Sequence, residues 1–298
     1  MIIVMCPDAD GDDVARVVAQ IRAKGLREHI SRGQECTIIG AVGDERVFDA
    51  AQMEKLPKVA RAIRIVHDWR LVSREAWAQD TVLTVRGQQF GGGQWQTVRT
   101  AAEGVLPAEA AVFADPFGLP DTPYVSPEQT AQSESARLKH LAADIKTWHG
   151  AGKTAWVRIR DTRQLDGVLA AGADVLYLGG ALMEQAGLLQ EVGCLNVPVV
   201  LCKNRHHTVR DWLVAAEQVV VRGNPHIILG EAGTMSLHGG PLRLDVDAVT
   251  EAKKLSHLPV LADISALAHR HMDEATLFKL AQAAGADGVL VSADFQAA

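Results

Sequence analysis

The side chains able to do chemistry fall into a few short groupings. Lys203, Arg205, His206 and His207 cluster after an apolar run at 197–202, and Cys202 closes that run. A lysine amine acts as a Schiff-base nucleophile when its pKa is lowered, a thiolate attacks directly, and clustered cations hold anions. Glu231, Asp245 and Asp263 are carboxylates beside later apolar runs, where general acids and bases are commonly placed. His269, Arg270 and His271 set two imidazoles at HxH spacing, a weak metal signal. Arg158 and Arg160 alternate along one run and point the same way, with Asp115 or Glu231 as ion-pair partners. His29 and Ser31, within His29-Ile30-Ser31-Arg32-Gly33, also share one strand face, where a ring and a hydroxyl suit a small polar ligand.

Each grouping has a plainer account beside the chemical one. The cations fit a solvated loop, and Cys202, a reactive thiolate near Lys203 on the functional reading, fits a small buried hydrophobe. Asp263 fits backbone bonding at a strand end. The HxH group fits polarity at a helix start, and His29 and Ser31 fit a solvated strand face.

The elements that must position these groups form two domains. Residues 2–6, 28–31, 36–42 and 60–66 read as strands. Asp10 or Asp12 caps a helix whose Val14, Val17, Val18 and Ile21 recur at helical spacing, and Gly25 ends it. A second helix spans 48–54, with Pro57 beyond its end. The order βαββαβ defines a ferredoxin-like domain over 1–70. Residues 71–93 are a linker and a hairpin about Gly87, capping one end of the second domain. From 94 to 298, eight apolar runs alternate with helical patterns: 95–100, 111–114, 155–159, 175–178, 197–202, 226–230, 259–263 and 288–292. That alternation predicts a (β/α)8 barrel. Only 101–110, interrupted by Pro107, separate its first two strands, so the first barrel helix is stunted or absent.

Composition narrows the function. Net charge is -6 without a basic stripe, which argues against nucleic acid. No apolar run approaches the ~20 residues of a membrane span, and the opening residues lack a signal peptide's pattern. Cys6, Cys36, Cys194 and Cys202 show no CxxC spacing, so neither zinc nor a disulfide framework is expected. A cytoplasmic location is the expectation.

Motifs along nearly the whole chain resemble one family. They include the opening MIIVM, His29–Gly33, Thr37-Ile38-Ile39-Gly40, Gly43-Asp44-Glu45-Arg46, Leu71-Val72-Ser73-Arg74-Glu75 and Gly91-Gly92-Gly93. Further on stand LQEVG at 189–193, Asp211-Trp212-Leu213, Gly223-Asn224-Pro225, LSHLPV at 255–260 and AAGADG at 283–288. Together they resemble the short bacterial, type Iβ class of 3-deoxy-D-arabino-heptulosonate-7-phosphate (DAHP) synthases, which carry a fused ferredoxin-like regulatory domain. That family condenses phosphoenolpyruvate with erythrose 4-phosphate on the route to aromatic amino acids, using a divalent metal.

The residues that carry the family's chemistry do not match as the scaffold does. At the metal-ligand positions a Cys reads as Ala102, the His of DPSH as Ala266, and the last-strand Glu as Ser292. The position of the Asp ligand lies past Ala298. Of the phosphate-binding motifs, KPRTSPY reads as 118–124 with Gly118 and Pro120 at its Lys and Arg, and GARN reads Gly179-Gly180-Ala181-Leu182. LLKRG places Cys202 at its Lys and Lys203 at its Arg, CERGIR reads as 230–235 without Arg, and a strand-three Glu reads as Arg158. In the family, His and Ser of the HISRG stretch help bind tyrosine or phenylalanine, and His29 and Ser31 match them directly.

The resemblance thus implies a non-catalytic regulatory paralogue with no metal cofactor. Lys203, Glu231 and Asp263 would be vestigial candidates, and His29 and Ser31 the effector-binding residues. Expected partners are an aromatic amino acid, a second copy of the chain in a homo-oligomer, or an active synthase. The alternatives are a barrel enzyme with changed aldolase or lyase chemistry, or a divergent synthase.

Overall fold

A computed structural model describes residues 1–33, 36–42, 50–63, 69–118, 133–236 and 240–296. The first domain runs β1 (Ile2–Met5), α1 (Gly11–Ala23), β2 (Arg27–Arg32), β3 (Thr37–Val42), α2 (Ala50–Met53) and β4 (Val59–Ile63). Asp10 is the N-cap: its carboxylate accepts from the amides of Asp12 and Asp13, and the Asp13 carboxylate accepts from the Asp10 amide. That reciprocal box satisfies donors a helix start otherwise leaves unpaired. Gly25, at φ +76°, turns the chain out of α1. Residues 48–49 of the expected helix and 64–66 of the expected strand lie outside the described residues.

The four strands form one antiparallel sheet in the order β2-β3-β1-β4. Strand alternation gives it two buried faces. Ile3, Met5 and Ile39 pack on Val14, Val17 and Ile21 of α1. Ile2 and Ile38, on the opposite face, join the core of the second domain.

The linker between the domains is held by buried polar groups. The Glu217 carboxylate accepts from the amides of Leu71 (3.1 Å) and Val72 (3.2 Å). The Ser256 hydroxyl donates to the Val72 carbonyl at 2.6 Å. His257 Nε2 lies 2.7 Å from the Leu71 carbonyl and Nδ1 2.7 Å from the Thr81 hydroxyl. A carbonyl only accepts, so Nε2 carries the proton, and burial lowers the pKa of this ring. A hairpin comes next, β5 (Val82–Val85) and β6 (Gln88–Gly91). Its two-residue turn has Arg86 and Gly87 both at positive φ, the geometry that matches strand twist. Leu83, Val85 and Phe90 plug the barrel interior from the N-terminal ends of the strands, with Phe90 edge-on to Trp156.

The barrel consists of eight parallel strands: β7 (Gln96–Thr100), β8 (Ala111–Ala114), β9 (Thr154–Ile159), β10 (Val175–Leu178), β11 (Val199–Cys202), β12 (Ile227–Glu231), β13 (Val260–Asp263) and β14 (Gly288–Val291). They pair in sequence order, and β14 closes on β7 in the register Leu290 to Val98. Helices α3 (Glu134–Gly150), α4 (Leu165–Ala170), α5 (Ala186–Gly193), α6 (Val209–Val220), α7 (Val246–Leu255) and α8 (Glu274–Ala283) come after β8 through β13. Val98, Phe113, Trp156, Tyr177, Val200, Ile228, Leu261 and Leu290 fill the inside. Their neighbours, such as Leu176, Leu201 and Leu229, face the helices.

No helix covers the seam between β7 and β8, because residues 101–110 form only turns and a short bridge from Ala102 to Val105. Part of that place is taken by Arg99. Its guanidinium donates to the carbonyls of Ser292 (3.4 Å), Ala293 (3.2 Å) and Phe295 (2.8 Å) and pairs with Glu109.

Candidate functional site at the barrel mouth

Side-chain alternation decides which candidates reach the mouth. Cys202 lines up with Val200 on the interior face and is fully buried. Lys203, one residue on, takes the opposite direction with Leu201. Cys202 thus faces the barrel interior as expected, but not beside Lys203: the two sit on opposite sides of the barrel wall. Burial, reinforced by the Asp263 charge, pushes the Cys202 thiol well above its usual range, which fits the small buried hydrophobe and not a thiolate.

Lys203 and Glu231 meet on the helix side of the wall. Lys203 Nζ lies 3.7 Å from Glu231 and 3.4 Å from Asp245, the N-cap of α7, and Lys203 is 3% exposed. Glu231 Oε1 accepts from the amides of Gly233 (2.7 Å) and Asp245 (3.3 Å), while Oε2 is buried without a hydrogen bond. Burial raises the Glu231 pKa to about 7, against the pull of Lys203. The cluster ties the ends of β11 and β12 to the start of α7. Asp263 is not part of it.

Asp263 stands inside, at the top of β13. It accepts from the Tyr177 hydroxyl at 2.5 Å, and its other oxygen accepts from the Ser265 hydroxyl at 2.6 Å and the Ser265 amide at 3.1 Å. The Arg158 guanidinium lies 5.4 Å from the centre of the Tyr177 ring, within cation–π range. Gly179 makes room for it, since a Cβ there would stand 2.7 Å from Arg158 Nη2. Asp115 takes both arginines expected to pair with it, Arg160 Nε at 3.0 Å and Arg158 Nη1 at 3.8 Å. Arg160, Asp115, Arg158, Tyr177 and Asp263 are thus joined by one chain of contacts. Tyr177 is the member the residue pattern did not single out. A lone hydroxyl inside a buried strand must find a partner, and that was the available signal.

The remaining candidates lie apart. His207 bonds Glu184 at 2.8 Å and approaches Asp211 at 3.5 Å, and the His206 amide bonds the Asn204 side chain. Thr234 bonds the Arg205 carbonyl. His269 and His271 lie in a turn before α8, with ring centres 6.4 Å apart. Among the described residues no three His, Cys, Asp or Glu side chains gather as a metal site. The ligand positions carried over by resemblance do not suit a metal. Ala102 and Ala266 offer no donor, and Ser292 gives both amide and hydroxyl to Glu274 at 2.6 Å.

His29 and Ser31 share the sheet face of Ile2 and Ile38, the one turned to the barrel, since His29 pairs with Gly40 and Ser31 with Ile38. His29 is exposed and Ser31 is 9% exposed. Gly33, just past β2, rests on the barrel: a Cβ there would stand 2.3 Å from the Cα of Gly223.

Fold and mouth define a closed (β/α)8 barrel with a ferredoxin-like domain docked beside it. Residues 1–67 match the DAHP synthase ferredoxin-like domain, and residues 139–295 match the DAHP synthetase I family. This chain belongs to that family. It is 30% identical to the phospho-2-dehydro-3-deoxyheptonate aldolase of Thermotoga maritima, over 98% of this chain and 88% of that protein. A crystal structure of the same Thermotoga maritima enzyme matches with a TM-score of 0.65 and 27% identity, covering 98% of this chain and 86% of that one. A truncated form of 3-deoxy-D-arabino-heptulosonate 7-phosphate synthase from Thermotoga maritima matches in fold, with TM-score 0.61, 24% identity, and 76% and 84% of the two chains covered.

Proposed function

We propose that this chain is a non-catalytic member of the DAHP synthetase I family that binds an aromatic amino acid through its ferredoxin-like domain. One observation carries the reading: among the described residues, the charges inside the top of the barrel lie against one another, with only Arg158 Nε left without a hydrogen bond. Asp115 holds Arg160 and Arg158, and Asp263 holds Tyr177 and Ser265. Binding two phosphorylated substrates needs cations free to pair with phosphate oxygens, and binding a metal needs donors that Ala102, Ala266 and Ser292 do not supply.

Schiff-base chemistry at Lys203 gains no support. The amine is buried on the outer side of the wall, where a carbonyl substrate entering the mouth would not meet it. The reading as a divergent synthase is favoured by one observation, the 30% identity to the Thermotoga maritima aldolase over 98% of the chain. A steady-state assay with phosphoenolpyruvate, erythrose 4-phosphate and Mn2+ separates the two. No turnover above background is expected, and metal-dependent condensation sinks the proposal. Calorimetric titration with L-tyrosine and L-phenylalanine tests the effector half. Binding of one of them, lost in His29→Ala, is expected.

A further inference from the structure

The seam left bare between β7 and β8 is only partly filled by Arg99. Toward the C-terminal ends of the two strands it stays open as a cleft of about 800 Å³ between residues 100–106 and the flank of α3. Leu141 and Trp148 of α3 line its inner side. Val105 and Leu106 form its outer wall and are 60% and 49% exposed, among the largest exposed apolar side chains described. In a (β/α)8 barrel this is the place of the helix joining the first two strands. Two turns of a helix 10 Å across occupy on the order of 850 Å³, so the cleft has the size of the missing element.

The rim indicates what kind of helix fits. Arg137 is turned to the Pro116 carbonyl, and Asp115 is held by Arg160 and Arg158. Glu103 on the loop wall and Asp144 on α3 are both exposed and take part in none of the ion pairs seen among the described residues. Two carboxylates outside those ion pairs therefore line the same apolar slot.

We propose that this cleft is a docking site for an amphipathic helix of another protein, one whose apolar stripe is flanked by lysine or arginine. The apolar stripe covers Leu106, Val105 and the inner side, and the basic flanks meet Glu103 and Asp144. Helix-in-groove docking of this kind takes its affinity from the apolar anchors and its orientation from the flanking charges.

The probe is a fluorescein-labelled, end-capped helical peptide of about 14 residues, with leucines at i, i+4, i+7 and i+11 and lysines flanking them. Its anisotropy is titrated with the full chain, beside a twin in which every lysine is glutamate. Saturable binding of the basic peptide is expected, at least ten-fold tighter than its acidic twin and weakened by salt. Leu106→Glu is expected to weaken it at least ten-fold. Asp144→Lys should weaken the basic peptide and favour the acidic one. Both substitutions are on exposed surface, so folding is checked by an unchanged melting temperature. Equal binding of the two peptides, or binding that ignores Leu106→Glu, overturns the proposal. So does sedimentation showing that the protein alone is a dimer dispersed by Leu106→Glu, since a second copy would then be the occupant.

Discussion

Gly33 and Gly223 are in backbone-to-backbone contact across the two domains: a Cβ on either would stand 2.2–2.3 Å from the other's Cα. One ends the strand that carries His29 and Ser31, and the other comes just after α6. Gly33 has an ordinary φ, so the approach, and not the backbone conformation, requires glycine there. A methyl must push two backbones apart, and such overpacking costs about 1–3 kcal/mol. Gly33→Ala is expected to lower the urea midpoint accordingly and to raise amide exchange in both 27–32 and 219–223. Faster exchange confined to the ferredoxin-like domain would show that the contact does not dock it.

The linker gives a second test of docking. Glu217→Ala leaves the buried amides of Leu71 and Val72 without acceptors, at about 1–3 kcal/mol. Glu217→Gln keeps one acceptor oxygen and is expected to recover part of the loss. Urea denaturation of the three proteins at one pH measures the order wild type, Gln, Ala. An Ala variant as stable as wild type would contradict it.

Glu231 makes stability fall as pH rises. Its pKa is raised from an ordinary value of 4.5 to about 7 in the folded state. Between those values the folded chain binds more protons than the unfolded one, so stability declines with pH and levels off above about 7. The full span is on the order of 3 kcal/mol. Glu231→Gln is expected to flatten this decline in urea midpoints measured from pH 4.5 to 8. Parallel curves for variant and wild type would remove the assignment.

Thiol reactivity reports whether the barrel is closed. Cys194 is exposed, and Cys202 is fully buried with its thiol held protonated. Ellman's reagent is expected to modify Cys194 rapidly in the native protein, and Cys202 only in denaturant. A variant with Cys6, Cys36 and Cys194 all changed to Ser isolates the slow phase, since Cys6 and Cys36 are only partly buried. Fast native labelling traced to Cys202 by peptide mapping would mean an open barrel wall.

Much of the fold was legible because its patterns are local. Runs such as Val175–Leu178, bounded by Gly172-Ala173-Asp174 and Gly179, mark strands by length and punctuation alone. The missing first helix was legible from chain length between two strands. The mouth was less so. A parallel strand buried on both faces reads as apolar throughout, so nothing in Val199 to Cys202 tells which parity points inward. That is why Cys202 and Lys203 were expected side by side, and why Lys203 and Glu231 were grouped with Asp263. The contact of Gly33 with Gly223 joins two motifs far apart in the chain, and neither contains a signal for the other.

The grip of Arg99 on residues 292–295 has a consequence for how the chain is made. The first barrel strand emerges from the ribosome early, yet the strand it pairs with, Gly288–Val291, and the carbonyls that hold its guanidinium come nearly two hundred residues later. Until then β7 has an unpaired edge, and the docking platform of α6 and Gly223 also comes long after the first domain. The ferredoxin-like sheet, with its own core around Ile3, Met5 and Ile21, is complete long before. During synthesis it is the one part with a finished interior, and it must wait with its barrel-facing side, Ile2 and Ile38, bare to solvent or to a chaperone.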